Sequence, residues 1–261
     1  MSDLNREGPS RTIQIADRED FLSVIREPAR YTAGFPIGII AIDLVYPKLP
    51  GNVVNASTFS FPVMYKKVSF EIEALFRGDP SIVAQVVDAA RELEAEGARA
   101  IVGACGFFAH FQKQVKEAVH VPVFLSSLCQ LPMIRAGLRD DQLVAVIAAS
   151  GDSVTDALLE NVGGRSSDCI VFDVGSWDSF APIRWGKSEL DNKALTKDIM
   201  ALGKKIREAY PQVGAILLEC SDLPPYAWAI QRSSQLPVYD FITLINWAAQ
   251  GAAQRMYTGN I

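Results

Sequence analysis

The apolar residues of this chain form two short continuous runs, 107 positions apart. Residues 37–42 read IGIIAI and residues 144–149 read VAVIAA. Unbroken runs rich in β-branched residues are typical of strands that are buried on both faces of a parallel sheet. We therefore predict a central strand at each of these two places.

Helical periodicity follows each predicted strand. Asp79-Pro80-Ser81 is typical of a helix start, and apolar residues then recur at intervals of three and four up to Gly97. Residues 195–209 show the same pattern in the second half. Further strands are predicted at residues 68–72 and 169–174. Strands that alternate with helices predict a parallel α/β architecture.

The two halves also share a longer sequence repeat. Residues 98–124 read ARAIVGACGFFAHFQKQVKEAVHVPVF and residues 213–239 read VGAILLECSDLPPYAWAIQRSSQLPVY, and they align without a gap. Cys105 falls on Cys220 in this alignment. The duplication predicts two pseudo-symmetric parallel-sheet α/β domains with an active-site cleft between them.

The duplication also suggests where the halves divide. Residues 1–140 would hold an N-terminal arm, up to about residue 35, and the first half with Cys105. Residues 141–261 would hold the second half with Cys220. A C-terminal helix is predicted over residues 241–256, and we expect it to pack back on the first half.

Composition narrows the classes of partner and chemistry. The chain has 261 residues, of which 49% are hydrophobic, and a net charge of −5. We therefore expect no nucleic-acid partner and no membrane partner. The start lacks the apolar region of a secretory signal, which predicts a cytoplasmic protein. Four cysteines without zinc-like spacing and only two histidines predict no metal site.

The two aligned cysteines are the strongest candidates for chemistry. Ligands of parallel α/β sheets bind beyond the carboxyl ends of the strands, which is where Cys105 and Cys220 are predicted to lie. A helix start after each cysteine would favour the thiolate, although a carboxylate at Asp222 would oppose it. The alternative is that each is a buried structural cysteine, a common environment for free thiols.

The chain resembles the aspartate/glutamate racemase superfamily, which includes hydantoin racemases, maleate cis-trans isomerases and arylmalonate decarboxylases. The resemblance depends on Gly-Ala-Cys105-Gly, Leu-Glu-Cys220-Ser, the Pro-Val strands that follow and the duplication. It implies two halves that face a cleft, no cofactor and no metal. It also implies that one thiolate removes an α-proton while the other thiol returns one on the opposite face. Family members are often dimers, so a homodimer is possible.

Other pocket residues are expected near the thiols. In the amino-acid racemases the first cysteine is commonly followed by Asn-Thr and the second by Thr or Thr-His. The corresponding residues here are Gly106-Phe107 after Cys105 and Ser221-Asp222 after Cys220. Phe107 makes the Cys105 side of the predicted pocket apolar. Three loops offer hydroxyl, amide and backbone N–H donors for a developing negative charge. Their candidate residues are Asn55, Ser57, Thr58, Ser127, Ser150 and Ser153. Ordinary turn and cap chemistry is the alternative interpretation of these loops.

Together these features predict a cofactor-independent racemase or epimerase that uses Cys105 and Cys220 as acid and base. Its substrate would be a small carbon acid next to a carboxylate or carbonyl, such as an acidic amino acid or a hydantoin. An arylmalonate-type decarboxylase or a maleate-type cis-trans isomerase is the alternative on the same cleft. A non-catalytic protein that binds a small molecule is the third hypothesis.

Overall fold

Two four-stranded parallel sheets form the framework of the protein. The computed structural model describes residues 30–254, 256 and 257, so most of the predicted N-terminal arm lies outside the described residues. The elements of the first half are β1 (Ile37–Ile42), β2 (Val63–Val68), α1 (Ile72–Phe76), α2 (Val83–Ala95), β3 (Ala100–Gly103), α3 (Gln112–Ala118), β4 (Val123–Phe124) and α4 (Leu131–Ala136).

The second half repeats this plan. Its elements are β5 (Leu143–Ala148), α5 (Asp156–Asn161), β6 (Cys169–Asp173), α6 (Ala181–Arg184), α7 (Asn192–Ala209), β7 (Val213–Leu218), α8 (Ala227–Ser234), β8 (Val238–Tyr239) and α9 (Phe241–Ala252). The strand orders are β2-β1-β3-β4 and β6-β5-β7-β8, and all strand pairs are parallel. The predicted duplicated α/β fold is therefore confirmed.

The runs that were read as central strands occupy the middle of each sheet. In β1, Ile37, Ile39 and Ile40 are fully buried, and Val144 to Ala148 of β5 are equally inaccessible. Side chains at the helix starts accept backbone N–H groups, as Asp79 does before α2 and Asp191 does before α7. In both halves the central strands are thus buried as their apolar sequences predict, and side chains cap the helix starts.

Two predicted boundaries were wrong. The sequence predicts the second strand of the first half at residues 68–72, whereas β2 spans Val63–Val68. β2 is an edge strand that carries Lys66 and Lys67, so its hydrophobic signal is weak, and the apolar residue Ile72 belongs to α1. The C-terminal helix ends at Ala252, before the predicted Met256.

The two halves share one interior. α9 packs its Phe241 and Ile245 against β1 and β3 of the first half, and a second cluster of buried residues runs through both halves. Direct hydrogen bonds add to this contact: the Ser221 hydroxyl donates to the carbonyl of Ala104 at 2.7 Å. None of the helices described is both long and apolar enough to cross a bilayer.

Candidate active site

Equivalent strands of the two halves place the two aligned cysteines. Cys105 lies two residues beyond the end of β3, and Cys220 lies two residues beyond the end of β7. Both residues line one cavity of about 40 Å³. The exposed fractions of Cys105 and Cys220 are 8% and 5%. The repeat thus brings two buried thiols to one small chamber.

One wall of the cavity is apolar. Ile72 and Phe76 of α1 form part of it from the first half, and Phe180 and Ile183 form part of it from the second. A chamber with this wall excludes water from a bound molecule, and charge interactions inside it are weakly screened.

The Cys220 thiol belongs to a polar cluster. It donates to Oδ2 of Asp222 at 3.5 Å, while Oδ1 of Asp222 accepts hydrogen bonds from the Tyr46 hydroxyl and the Asn52 amide. Burial, followed by the charge of Asp222, raises the pKa of the Cys220 thiol well above its usual range. Cys220 is thus held as a protonated thiol that points its hydrogen at a carboxylate.

Lys48 supplies a positive charge to the same cluster. Its ammonium group donates to the carbonyl of Leu44 at 3.1 Å and lies over the ring of Tyr46. Burial lowers the pKa of Lys48 to about 8, although the negative charge of Asp222 partly opposes that shift. At neutral pH the cluster therefore contains the ammonium group of Lys48 beside the Asp222 side chain.

The surroundings of Cys105 differ from those of Cys220. Cys105 is the N-cap residue of a 3-10 helix that spans Gly106–Phe111, and the N–H of Phe107 favours its thiolate form. Burial and then Glu219 outweigh this contact, so the pKa of the Cys105 thiol is also raised well above its usual range. A backbone N–H also favours the thiolate of Cys220, from Asp222. The difference between the two thiols is therefore the carboxylate of Asp222, which accepts a hydrogen bond from Cys220.

Glu219 lies behind the thiols, between the two halves. It is fully buried, and Oε2 accepts the N–H of Ala149 at 3.3 Å. Burial raises the pKa of Glu219 to about 8, against the opposing effect of that N–H group. At neutral pH the side chain is therefore mainly a neutral carboxylic acid.

Arg184 adds a second cation to the cavity lining. Its Nη1 donates to the carbonyl of Ala149 at 3.3 Å, and its Nη2 lies 3.2 Å from Oε1 of Glu73. The Nε atom is buried and has no hydrogen-bond partner among the residues described. Because a buried donor without a partner is costly, this guanidinium is suited to an anionic ligand.

Four of the residues predicted for the site line the cavity. They are Cys105, Cys220, Ser221 and Asp222. Ser221 also uses its hydroxyl to join the halves, as described above. Gly106 lies directly behind the cavity, where a Cβ atom would come within 1.9 Å of Oε1 of Glu219. Phe107 is fully buried and packs on Phe76 with 4.4 Å between the ring centroids.

The loop after β1 uses its predicted donors for its own structure. Asn55 is an N-cap residue whose side-chain oxygen accepts the N–H and hydroxyl of Ser57. Thr58 donates its hydroxyl to the carbonyl of Asn52. These three candidates serve as turn and cap residues outside the cavity lining.

The remaining hydroxyl candidates also have local partners. Ser127 is buried and donates to the carbonyls of Leu218 and Glu219 at 2.9 and 3.2 Å. The hydroxyls of Ser150 and Ser153 contact each other at 2.8 Å. Ser127 therefore connects the two halves, and the other two serines stabilise the turn after β5.

Four polar groups at or behind the cavity were not predicted: Tyr46, Lys48, Arg184 and Glu219. The sequence carried a signal for Glu219, because a glutamate directly after a buried strand and directly before Cys220 is unusual in an apolar run. Tyr46 and Lys48 follow β1 in the expected position for a ligand loop. Arg184 lies on a short helix far from either cysteine in sequence, and no pattern singled it out.

The described residues contain no group of three or more His, Cys, Asp and Glu side chains that would hold a metal ion. The site consists instead of two thiols, two carboxyl groups, a phenol and two cations. Such a set can hold a carboxylate and move a proton at the adjacent carbon.

Known proteins resemble this chain over most of its described length. Dimethylsulfoniopropionate lyase of Durusdinium sp. clade D is 31% identical over 224 residues, which cover 82% of this chain and 74% of that lyase. Dimethylsulfoniopropionate lyase 3 of Emiliania huxleyi strain CCMP1516 is 32% identical over 224 residues. That match covers 80% of this chain and 58% of the relative, so the chain spans little more than half of the second lyase.

The fold is also found among solved structures. Unliganded arylmalonate decarboxylase superposes with a TM-score of 0.55 at 20% identity, covering 85% of this chain and 94% of that one. Residues 63–249, which include both cysteines and all strands but β1, match the family described as Asp/Glu/Hydantoin racemase. The chain belongs to the Asp/Glu/hydantoin racemase family.

Proposed function

We propose that this protein is a cofactor-independent lyase that removes a proton next to a carboxylate and expels a leaving group from the neighbouring carbon. Dimethylsulfoniopropionate is the proposed substrate. The observation that carries the proposal is the unequal environment of the two thiols: Cys220 donates a hydrogen bond to the carboxylate of Asp222, whereas Cys105 has no carboxylate partner at hydrogen-bond distance among the described residues. Elimination needs one base, whereas racemisation needs two groups that exchange roles.

The proposed reaction balances with one thiolate. The Cys105 thiolate takes the α-proton, and the C–H electrons form the new carbon–carbon double bond. The bond between the β-carbon and sulfur breaks, and its electron pair stays on sulfur. The products are acrylate, neutral dimethyl sulfide and the protonated thiol. Because dimethyl sulfide leaves without a proton, no acid is needed for its departure.

Arg184 is the proposed partner of the substrate carboxylate. Its free Nε and its place in the cavity lining support this role. A guanidinium beside the carboxylate also stabilises the charge that develops on it when the α-proton is removed.

The raised pKa of the Cys105 thiol favours a sulfonium substrate. Burial and neighbouring carboxyl groups oppose formation of a thiolate at Cys105, as its raised pKa indicates. A bound cation stabilises a nearby thiolate, so a substrate with a fixed positive charge would itself help to form the base. The carboxylate of Asp222 supplies a counter-charge for the sulfonium group.

The test is product formation by the purified full chain. Proton NMR of dimethylsulfoniopropionate incubated with the protein should show the vinyl signals of acrylate together with dimethyl sulfide. The matched control is the Cys105→Ser/Cys220→Ser protein, which should give neither product above the uncatalysed rate. Equal product formation by both proteins would contradict the proposed elimination.

A two-base racemase is the second candidate, and it is favoured by the fact that thiols from both halves line one cavity. The same NMR experiment in deuterated water distinguishes it. Deuterium at the α-carbon of single enantiomers of aspartate, glutamate or a 5-substituted hydantoin, with loss of optical activity and no elimination, would support racemisation.

A further inference from the structure

Glu219 has a buried carboxyl group that the proposed elimination does not use. It lies just beyond β7 and is not part of the cavity lining, which includes its sequence neighbour Cys220. Its Oε2 has one N–H partner, from Ala149, and its Oε1 has no partner among the described residues. An ionised carboxylate with an unpaired oxygen in a dry site is strongly destabilised.

The chain keeps space for this carboxyl group beside Cys105. Gly106 follows Cys105 directly, and any side chain there would collide with Oε1 of Glu219. After burial, Glu219 is the largest influence that raises the pKa of the Cys105 thiol. Both side chains are buried, so the charge of an ionised Glu219 is weakly screened at Cys105.

We propose that Glu219 is a positioning residue for Cys105: its neutral acid form allows the Cys105 thiolate to form, and its ionisation suppresses that thiolate and limits the base in alkaline solution. The inference rests on the proposed function only where it calls Cys105 the base. The interaction between the two side chains is independent of the substrate.

Other charged and titratable groups surround this pair. Cys220 and Asp222 come from the loop that carries Glu219, and both are closer to the cavity. Lys48 and Tyr46 reach the cluster from the loop after β1. Arg184 donates to the carbonyl of Ala149, the residue whose N–H donates to Glu219. Of these, Lys48 is the competing cause of a pH effect, because its pKa is also about 8.

Coupled titration gives the pair a distinctive pH profile. Below about pH 8 Glu219 is neutral, and the Cys105 thiolate fraction rises about tenfold per pH unit. Above that pH Glu219 ionises before Cys105 does. A further rise in pH favours the Cys105 thiolate, but it also lowers the fraction of neutral Glu219 that allows this thiolate to form. The fraction of Cys105 in the thiolate form therefore stops rising with pH, although most Cys105 side chains are still protonated.

The experiment measures the alkylation rate of Cys105 by iodoacetamide between about pH 6 and pH 10, with peptide mass spectrometry to identify the site. In the wild-type protein the rate should flatten above about pH 8. In Glu219→Gln it should keep rising and exceed the wild-type rate about tenfold at pH 9, while the two rates agree near pH 6. In Lys48→Arg, which keeps its charge, the wild-type break should persist.

Three results would overturn the inference: matching profiles for wild type and Glu219→Gln, a break that disappears in Lys48→Arg, or an equal loss of Glu219→Gln reactivity at every pH. If Glu219→Gln does not fold, carbon NMR of the glutamate-labelled wild-type protein carries the test. One glutamate carboxyl must then titrate near the pH at which alkylation flattens, and its absence counts against the inference. If the alkylation profiles are as predicted but the protein shows no lyase activity, the proposed function is refuted and the inference about Glu219 is not.

Discussion

Cys105→Ser is expected to lower kcat/KM for dimethylsulfoniopropionate by about 10³-fold, because a serine hydroxyl is a far weaker base than a thiolate and general-base catalysis contributes about 10²- to 10⁴-fold. Cys220→Ser is expected to cost about tenfold or less. Its hydroxyl can still donate to Asp222, as the thiol does now. Steady-state kinetics of acrylate release on the two variants measures the difference.

The test depends on the difference between the losses of kcat/KM in Cys105→Ser and Cys220→Ser. Cys129→Ser is the matched control, since this half-buried thiol is not part of the cavity lining and the substitution should leave kcat/KM within about twofold. Equal losses of about 10³-fold in Cys105→Ser and Cys220→Ser would instead indicate two thiols of equal importance. That result would restore the two-base scheme predicted from the repeat.

Arg184→Met is expected to raise KM for the carboxylate substrate by about 10- to 100-fold, with a smaller change in kcat. A hydrogen bond to a charged group contributes about 1.5–3 kcal/mol, which corresponds to that range of affinity. The guanidinium carbon of Arg184 lies 5.2 Å and 5.1 Å from the ring centroids of Phe76 and Trp185. Methionine loses these cation–π contacts but keeps an apolar side chain that can pack on the rings. The remaining partner, Glu73, is part-exposed and stays hydrated, so the fold should tolerate the change.

Two comparisons sharpen this prediction. Arg91→Met removes an exposed guanidinium from α2 and should leave KM unchanged. Arg184→Lys keeps the charge but loses the fork geometry, so its KM should lie between wild type and Arg184→Met. An unchanged KM in Arg184→Met would remove this residue from the proposed carboxylate site, and the other cation in the lining, Lys48, would take its place.

The fold and the position of the thiols could be predicted because they depend on local patterns that are repeated. Buried central strands such as β1 and β5 appear as unbroken apolar runs, and the in-register Cys105 and Cys220 follow equivalent strands. The edge strand β2 was misplaced because its exposed lysines dilute that signal. Periodicity therefore identifies the interior of a sheet better than its rim.

Most of the polar site could not be predicted, because its members come from separate parts of the chain. Tyr46 and Asn52 reach Asp222 across more than 160 positions of sequence, and Arg184 enters from a short helix between β6 and α7. Conversely, the hydroxyl-rich loops contain the expected side chains, but those side chains satisfy backbone groups nearby. Composition alone does not distinguish a donor that serves a turn from one that serves a ligand.

The unequal thiols also bear on how one family fold can support different reactions. Both cysteines follow equivalent strands of the duplication, yet only the Cys220 thiol donates a hydrogen bond to a carboxylate among the described residues, that of Asp222. Neighbouring groups thus determine which thiol is suited to act as a base. Glu219 lies directly before Cys220 and Asp222 lies two residues after it. Glu219 has the larger effect on the pKa of Cys105, and Asp222 has the larger effect on that of Cys220.

The central claim is that this cavity removes a proton from the carbon next to a carboxylate. The most direct test compares single-turnover rates for dimethylsulfoniopropionate carrying deuterium at the α-carbon with those for substrate carrying deuterium only in its S-methyl groups. We predict slower acrylate formation from the α-deuterated substrate and an unchanged rate from the methyl-deuterated one. Equal single-turnover rates for the two substrates would contradict α-proton removal as the bond-breaking step.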